Sequence, residues 1–186
     1  MAVKRCIAAA VACAALVSGC SSGPKSAAPS AAVSQQELAG SPAALSTLHT
    51  QAGQLLNGGT SAFKARLASL RGHPVVVNKW ASWCGPCRAE FPMFQKLSVQ
   101  LGRRVGFVGV NSNDNADDAR RFLKRYPVAY PSYEDGDSKI AELFNGIATF
   151  PATAFYDAGG KLQYMHQGQY PSEQKLRADI RRYIQG

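Results

Sequence analysis

The sequence predicts an α/β fold in which helices flank both faces of a mixed central sheet. Three observations predict it. The chain has 186 residues, of which 46% are hydrophobic and 18% charged, short β-rich runs alternate with segments of helical periodicity, and a hairpin pattern precedes a final amphipathic helix. This composition excludes collagen-like, coiled-coil and fully disordered chains. A multi-pass membrane protein is also excluded, because no apolar stretch of about 18 residues follows the first 20 positions.

The chain is basic. Lys and Arg together number 21 and Asp and Glu 12, which gives a formal net charge of +9. The basic residues occur mostly as scattered pairs, such as Arg103 with Arg104 and Arg181 with Arg182, rather than as one long run. This pattern suits anionic lipid headgroups or an acidic partner, and it does not indicate a nucleic-acid-binding protein.

The first 20 residues have the organisation of an export signal. Residues 1–5 are short and basic, residues 6–17 are a run of twelve apolar residues, and two small residues precede Cys20. The run is too short to span a bilayer comfortably, so we interpret residues 1–19 as a secretory signal peptide. The ending Leu-Val-Ser-Gly-Cys resembles the bacterial lipobox, which predicts cleavage before a lipid-modified Cys20. An ordinary signal cleaved elsewhere and an uncleaved anchor are the alternatives.

Residues 20–50 are predicted to be a lipidated flexible tether, because they are rich in Ser, Ala, Pro and Gly and poor in large apolar side chains. The globular domain is expected over residues 51–186, extracytoplasmic and lipid-anchored to the bacterial cell membrane. Once the signal is removed and Cys20 carries lipid, Cys84 and Cys87 are the remaining thiols. Outside the cytoplasm no glutathione pool keeps thiols reduced, so this pair is a disulfide or a working dithiol.

The first half of the domain has the pattern strand, helix, strand, helix. Val75–Trp80 is a β-rich run short enough for a strand, and a helix over residues 85–101 starts at a Gly-Pro pair and carries apolar residues at spacings of three and four. Val105–Val110 is a second buried strand. A cluster of Asn and Asp then begins a helix over Ala116–Arg125.

The second half is predicted to contain a short helix, a hairpin and a terminal helix. Ser138–Phe144 is the short helix. Ala152–Tyr156 and Lys161–His166 flank the sequence Asp-Ala-Gly-Gly, which is typical of a hairpin turn. Ser172 begins an amphipathic helix that continues through Ile184.

The candidate redox site is the sequence Trp83-Cys84-Gly85-Pro86-Cys87 between the first strand and its helix. A strand leading into a helix places Cys84 at the helix N-terminus, where free N–H groups and the helix dipole stabilise a thiolate. Cys87 returns to the same side one turn later, within the Cα separation of about 4.4 to 6.8 Å that a disulfide needs. Cys84 is therefore a candidate nucleophile and Cys87 its disulfide partner.

Two structural alternatives compete with a redox site. An inert disulfide would close a ring of four residues and constrain little chain entropy, so it would stabilise the fold poorly. A zinc site wants four ligands, and the histidines available besides the two thiols, His49, His73 and His166, are far apart in sequence. We therefore expect no metal.

The segment Leu67–Pro92 resembles the active-site segment of the TlpA/ResA/DsbE group of thioredoxin-like, membrane-tethered disulfide oxidoreductases. The similarity extends through the sequence Phe-Pro-Ala-Thr at 150–153 to the terminal helix and covers about residues 65–186. It implies a thioredoxin fold with the extra strand and helix insertion of this group, here within 114–145. It also implies that Pro151 is a cis proline facing the disulfide, with a trans proline at the start of a strand as the alternative.

The resemblance also implies a substrate-binding surface. A cis bond would expose the backbone of Phe150 for strand-like pairing with a substrate peptide beside Cys84. The expected substrate-binding residues are Trp83, Gly85, Pro86, Phe150 and Pro151. The implied partners are cysteine-containing exported proteins such as apocytochrome c, and a membrane redox protein of the CcdA/DsbD type. The dithiol is the whole expected redox centre, without a separate cofactor.

The sequence departs from the family pattern at two positions. Asn78 stands where thioredoxin has a buried aspartate that moves protons, and Glu90 is the candidate replacement because it follows Cys87 by three residues and matches an active-site glutamate of ResA-like members. A glutamate merely favoured by the helix dipole is the alternative. Lys79 interrupts an otherwise apolar strand; we expect its head to snorkel to a strand edge, the alternative being a partly buried cation that shifts neighbouring pKa values.

These observations predict an exported, membrane-tethered thiol-disulfide oxidoreductase that acts on secreted proteins. In it, Cys84 would form the mixed disulfide with the substrate and Cys87 would resolve it. The alternative from another class is a non-catalytic thioredoxin-fold module that binds peptides or acts like a chaperone.

Overall fold

The computed structural model describes Met1 and residues 31–184. The rest of the predicted signal peptide, the predicted lipid attachment at Cys20 and the predicted tether up to residue 30 lie outside the described residues. The helices are α1 (Ala31–Leu38), α2 (Ala43–Thr50), α3 (Gly59–Ser69), α4 (Gly85–Leu101), α5 (Ala116–Arg125), α6 (Lys139–Glu142) and α7 (Glu173–Ile184). The strands are β1 (Leu55–Leu56), β2 (Val75–Trp80), β3 (Gly106–Ser112), β4 (Ser132–Asp135), β5 (Ala152–Tyr156) and β6 (Leu162–Gln167).

The six strands form one mixed sheet in the order β1-β4-β3-β2-β5-β6. The pairs β1/β4, β3/β4 and β2/β3 are parallel, whereas β2/β5 and β5/β6 are antiparallel. The parallel strands are joined through helices, and β5 and β6 are joined by a tight turn. The predicted fold class, a mixed sheet flanked by helices, is therefore confirmed.

Strand β2 lies inside the sheet, and all six of its residues are buried. Because side chains alternate along a strand, Val76 and Trp80 pack with α4, α5 and α7 on one face. Val75 and Val77 pack with α2, α3 and α6 on the other face. The next two positions continue the alternation, so the neighbouring polar residues Asn78 and Lys79 belong to opposite faces of the sheet.

Several predicted elements appear over the predicted residues, namely β2, α4, α5 and β5. Three elements of the domain were not predicted. Strand β1 has two residues, β4 has the polar sequence Ser-Tyr-Glu-Asp, and α3 buries Phe63 alone, so none of them carries a clear periodic pattern. Their place in the fold depends on tertiary contacts: β1 pairs with β4, and Phe63 packs against Tyr133 of β4.

The flexible-tether prediction is wrong over residues 31–50, and the folded part begins before residue 51. These residues form α1 and α2, which pack against α4 and β3 respectively. Leu45 and Leu48 of α2 are fully buried, and Leu38 of α1 is buried as well. The composition of this segment was a poor guide because three buried leucines are enough to anchor two short helices on the rest of the domain.

The region 114–145 contains α5, β4 and α6, in agreement with the extra strand and helices expected there. Strand β4 inserts between β1 and β3, so this region widens the sheet on the side away from the hairpin. In the part of the chain that the structure describes, no helix is both long and apolar enough to cross a membrane.

Candidate active site

The disulfide predicted from the motif is present between Cys84 and Cys87, with the Cα atoms 5.3 Å apart. Cys84 is the N-cap residue of α4, and its Sγ accepts a hydrogen bond of 3.1 Å from the backbone N–H of Cys87. Both residues are largely buried, with Cys84 3% and Cys87 0% exposed. A reduced Cys84 would therefore have a backbone donor and the positive end of the helix dipole beside its sulfur, and both favour a thiolate.

Two aromatic residues border the disulfide. Trp83 is 56% exposed, and its ring centroid lies 4.9 Å from that of Phe150. The Trp83 indole N–H donates to the carbonyl of Asn113 at 3.0 Å, which fixes the ring. The Phe150-Pro151 peptide bond is cis, as the resemblance implied. Both Gly85 and Pro86 are exposed in the first turn of α4. The structure thus brings Trp83 and Phe150 into contact beside an open helix end.

The Glu90 carboxylate is fully buried on α4, one turn after Cys87. Its Oε1 accepts from the Asn78 side-chain amide at 3.0 Å, and its Oε2 accepts from the backbone N–H of Tyr170 at 3.2 Å. Burial raises the pKa of Glu90 to about 8, and the hydrogen bonds from Tyr170 and Asn78 oppose this shift. A carboxyl group with this pKa exchanges protons close to neutral pH.

Tyr170 contributes to the surroundings of Glu90, although no sequence pattern pointed to it. Its backbone N–H donates to Glu90. Its hydroxyl donates to the Asp179 carboxylate at 3.1 Å, and its ring stacks on His166 with centroids 3.9 Å apart. Lys175 pairs with the same Asp179 at 2.6 Å. A backbone donor leaves no sequence signal, so this role could be found only in the folded structure.

Asp114 also joins the site without having been predicted as a site residue. Its carboxylate accepts from the backbone N–H of Ser82 at 2.5 Å, from the Ser82 hydroxyl at 2.8 Å and from the Asn111 amide at 2.8 Å. It also accepts from the backbone N–H of Asn115 at 2.8 Å. Asp114 therefore ties the loop before Cys84 to the loop after β3. The polar cluster at 111–114 was the available signal.

Lys79 does not reach a strand edge, so the snorkelling prediction is wrong. Its side chain is 0% exposed, and Nζ donates to the carbonyls of Gly146, Ile147 and Thr149 at 2.6, 3.1 and 2.9 Å. Burial lowers the pKa of Lys79 to about 8, while the negative charge of Asp135 opposes the shift. The alternative of a buried cation is the one that the structure supports. Snorkelling fails because β2 is an interior strand, with neighbours on both sides.

A groove of about 890 Å³ runs beside Trp83 between the start of α4 and α5. Its charged lining includes Arg88, Arg121, Arg125, Asp114 and Asp118. Arg121 pairs with Asp118, and Asp114 is engaged by the loop contacts described above. The groove therefore offers a polar, open surface next to the exposed tryptophan.

The chain is similar to several bacterial thiol-exchange proteins. It is 30% identical to thioredoxin-like protein YneN of Bacillus subtilis over 62% of this chain and 71% of that protein. It is 30% identical to thiol-disulfide oxidoreductase ResA of Oceanobacillus iheyensis over 55% of this chain and 54% of that protein. It is 39% identical to thiol:disulfide interchange protein DsbE of Escherichia coli over 53% of this chain and 51% of that protein. The match thus spans about half the length of ResA and DsbE.

A solved structure supports the same relationship. The crystal structure described as a putative thiol:disulfide interchange protein DsbE from Chlorobium tepidum superposes with a TM-score of 0.57 and 29% identity, covering 61% of this chain and 82% of that one. A family model described as Redoxin matches residues 27–180, which is most of the chain. The chain therefore belongs to the Redoxin family and shares the thioredoxin-like fold of its thiol-disulfide oxidoreductases.

Proposed function

We propose that the protein is an extracytoplasmic thiol-disulfide oxidoreductase that exchanges disulfides with exported proteins through Cys84 and Cys87. The observation that carries the proposal is the position of the cysteine pair at the start of α4, where the Cys87 N–H is directed at the Cys84 sulfur. The names of ResA and DsbE describe the same class of chemistry.

The proposed exchange has two steps. In the reducing direction, the Cys84 thiolate attacks one sulfur of a substrate disulfide, a Cys84–substrate disulfide forms, and the other substrate sulfur leaves as a thiolate. The Cys87 thiolate then attacks Cys84 Sγ, so the Cys84–Cys87 disulfide forms and the second substrate thiolate leaves. The substrate gains two electrons and the enzyme loses two. The oxidising direction is the reverse, and the dithiol needs no other cofactor.

Glu90 would serve the second step. Cys87 is fully buried, so the proton that its thiol loses in the resolving step needs an acceptor inside the protein. Glu90 lies one turn further along α4, and its raised pKa keeps it exchanging protons near neutral pH. A carboxylate there can accept the Cys87 proton, directly or through one water, as the mixed disulfide is resolved.

The proposed location rests on the N-terminal sequence. The basic start, the apolar run and the lipobox-like ending at Cys20 support export and lipid attachment to the bacterial cell membrane. Apocytochrome c and other cysteine-containing exported proteins are the proposed substrates, and a CcdA/DsbD-like membrane protein is the proposed redox partner. Cell fractionation tests the anchor: mature protein should partition with membranes, and Cys20→Ser should release it or leave the precursor uncleaved. A Cys20→Ser protein that is processed and remains in the membrane would contradict lipid anchoring.

Catalytic reduction of insulin by dithiothreitol tests the activity. Wild-type protein at substoichiometric concentration should reduce many insulin molecules per enzyme, whereas a peptide-binding module would reduce at most one. The equilibrium potential of the cysteine pair in a glutathione buffer tests the direction. A value near the roughly −270 mV of thioredoxin favours a reductase, and one near the roughly −120 mV of DsbA favours an oxidase.

A further inference from the structure

Lys79 holds a segment of irregular backbone at the edge of the active site. The three carbonyls that its Nζ binds, of Gly146, Ile147 and Thr149, belong to the segment 146–149 between α6 and β5. This segment contains neither helix nor strand. Lys79 therefore supplies hydrogen bonds that regular secondary structure would otherwise provide.

The same ammonium group also fixes the residue before the cis proline. Lys79 Nζ lies 3.5 Å from the centroid of the Phe150 ring, and the Phe150 ring in turn contacts Trp83. A cation over an aromatic face is attracted by the ring quadrupole, and the attraction strengthens where water is excluded. One buried side chain thus fixes the backbone of 146–149 and the orientation of Phe150.

Hydrogen bonds and a neighbouring carboxylate stabilise the buried positive charge of Lys79. A buried ammonium is unstable unless its donors are satisfied and its charge is balanced. Three carbonyls accept from it, and the negative charge of Asp135 attracts it. Asp135 is fixed by hydrogen bonds from the backbone N–H groups of Ile140 and Ala141, at 2.7 and 3.1 Å, so it also anchors α6 at the start of the same segment.

The held segment presents apolar side chains to solvent. Within residues 31–184, the exposed large hydrophobic residues are Trp83, Leu143 and Ile147, with exposed fractions of 56%, 37% and 51%. Trp83 directly precedes the nucleophilic cysteine, and the other two flank or belong to the segment that Lys79 binds. Trp83 is thus adjacent in sequence to the cysteine motif and Ile147 lies close to the cis-proline turn, and the two parts meet where the Trp83 ring contacts Phe150.

We propose that Lys79 is a positioning residue that holds residues 146–150 as an apolar docking edge for the polypeptide chain of a disulfide substrate. The proposal rests on the proposed function, since the substrate is the one that exchanges with Cys84. A polypeptide needs the edge to bind beside the disulfide, whereas a small disulfide reaches Cys84 without it. Lys79 acts through Phe150 and the segment backbone and does not touch the reacting sulfurs.

Steady-state kinetics of Lys79→Met with two substrates tests the proposal. With insulin, kcat/KM should fall by about tenfold or more, mainly through KM, because binding contacts are lost. With the small disulfide 5,5′-dithiobis(2-nitrobenzoic acid), the fall should be less than about threefold. Lys64→Met, which changes an exposed lysine on α3, is the matched control and should leave kcat/KM unchanged for both substrates.

Hydrogen exchange supplies a readout that a general loss of stability would not produce. In Lys79→Met, the amides of 146–150 should exchange faster, while those of the β2 and β3 core keep their protection. Equal losses with both substrates, or unchanged insulin kinetics, would overturn the proposal.

A second variant covers the case in which Lys79→Met does not fold. Ile147→Ser changes an exposed side chain and should show the same selective loss with insulin; a loss shared equally by both substrates, or no loss at all, would contradict the docking edge. Failure of the proposed function has a different signature, because wild-type protein would then turn over neither substrate.

Discussion

The side-chain amide of Asn78 donates a buried hydrogen bond of 3.0 Å to the carboxylate of Glu90, joining strand β2 to helix α4 on either side of the disulfide. The strand position that corresponds to the buried aspartate of thioredoxin therefore carries a donor, and the carboxylate comes from the helix. The pair thus places a buried carboxylate within hydrogen-bond distance of the strand position of that aspartate. Two predictions concern this pair.

The first prediction concerns the rate of the resolving step. If the Glu90 carboxylate accepts the Cys87 proton, the rate in wild-type protein should rise with pH and level off above about 8, where the pKa of Glu90 lies. Glu90→Gln should resolve mixed disulfides about 10- to 100-fold more slowly near pH 7.5 and should lose this inflection. Stopped-flow measurement of mixed-disulfide decay between pH 6 and 9.5 checks it. An unchanged profile would leave Glu90 with a structural role.

The second prediction concerns stability. Burial gives Glu90 a folded-state pKa of about 8, above its unfolded value near 4.5, so the folded state holds this proton more tightly. The stability contributed by the protonated form is complete below pH 4.5 and is lost as the pH rises to 8. The unfolding free energy of wild type should fall relative to that of Glu90→Gln over this range, as measured by urea denaturation of the oxidised forms. Glu142→Gln, at an exposed glutamate, should parallel wild type.

Substitution of Cys84 and substitution of Cys87 should have different effects on disulfide exchange. Cys84 is the N-cap of α4 and is proposed to be the reactive thiol, so Cys84→Ser should neither react with alkylating reagents at mildly acidic pH nor form adducts with substrate. Cys87→Ser removes the resolving thiol, and mixed disulfides through Cys84 should accumulate until reductant is added. Non-reducing gels and mass spectrometry identify the adducts. Trapping by Cys84→Ser instead of Cys87→Ser would reverse the proposed order of attack.

Asp114 should matter for the loop before Cys84. Asp114→Ala removes four acceptor contacts, to Ser82 twice and to Asn111 and Asn115, and leaves these donors to water. The unfolding free energy should fall by about 2 kcal/mol, because hydrogen bonds to a charged acceptor are stronger than neutral ones. Asp117→Ala, at an exposed pair with Arg120, should cost about 0.5 kcal/mol or less. Equal effects in chemical denaturation would show that Asp114 contributes no more than a surface charge.

Gly109 in β3 should tolerate no side chain. A Cβ at this position would lie 2.0 Å from the Ser132 hydroxyl and 3.1 Å from the Trp80 indole nitrogen. The Trp80 indole N–H donates a hydrogen bond to that same hydroxyl. Gly109→Ala should lower the unfolding free energy by about 1 to 3 kcal/mol through overpacking. Gly136→Ala, where a Cβ meets nothing within 4 Å, is the control and should change it little. Similar denaturation midpoints for the two variants would refute the close packing.

Elements of the fold could be predicted where the local pattern of apolar and polar residues agrees with the burial that the structure shows. Strand β2 and helix α4 appear over the predicted residues because a β-rich run followed by a Gly-Pro helix start leaves little ambiguity. Strand β4 was not predictable, because Ser132–Asp135 is polar and its burial comes from β3 and β1 on either side. Helices α1 and α2 were missed for the related reason that Ala-rich composition resembles a tether when the surface it covers is unknown.

The site was predictable in its covalent chemistry and much less so in its surroundings. The cysteine pair and the position of Glu90 one helical turn after Cys87 follow from the motif and from helical spacing. The backbone donor of Tyr170 and the carbonyls around Lys79 could not be read from residue types, because every residue carries these groups and only the path of the chain selects them. A lysine in a strand is ambiguous until the neighbouring strands are known.

The alternation of Asn78 and Lys79 on β2 has a consequence for how such a site can change over time. The Glu90 carboxylate contacts Asn78 on one face of the sheet, and the segment 146–149 contacts Lys79 on the other. Glu90 and Lys79 share no hydrogen-bond partner, so we expect substitutions at the two positions to combine close to additively. Substitutions at Lys79 and in the segment that it binds could then change substrate preference while the resolving chemistry is conserved. In engineered variants, one of these properties could be changed without altering the other.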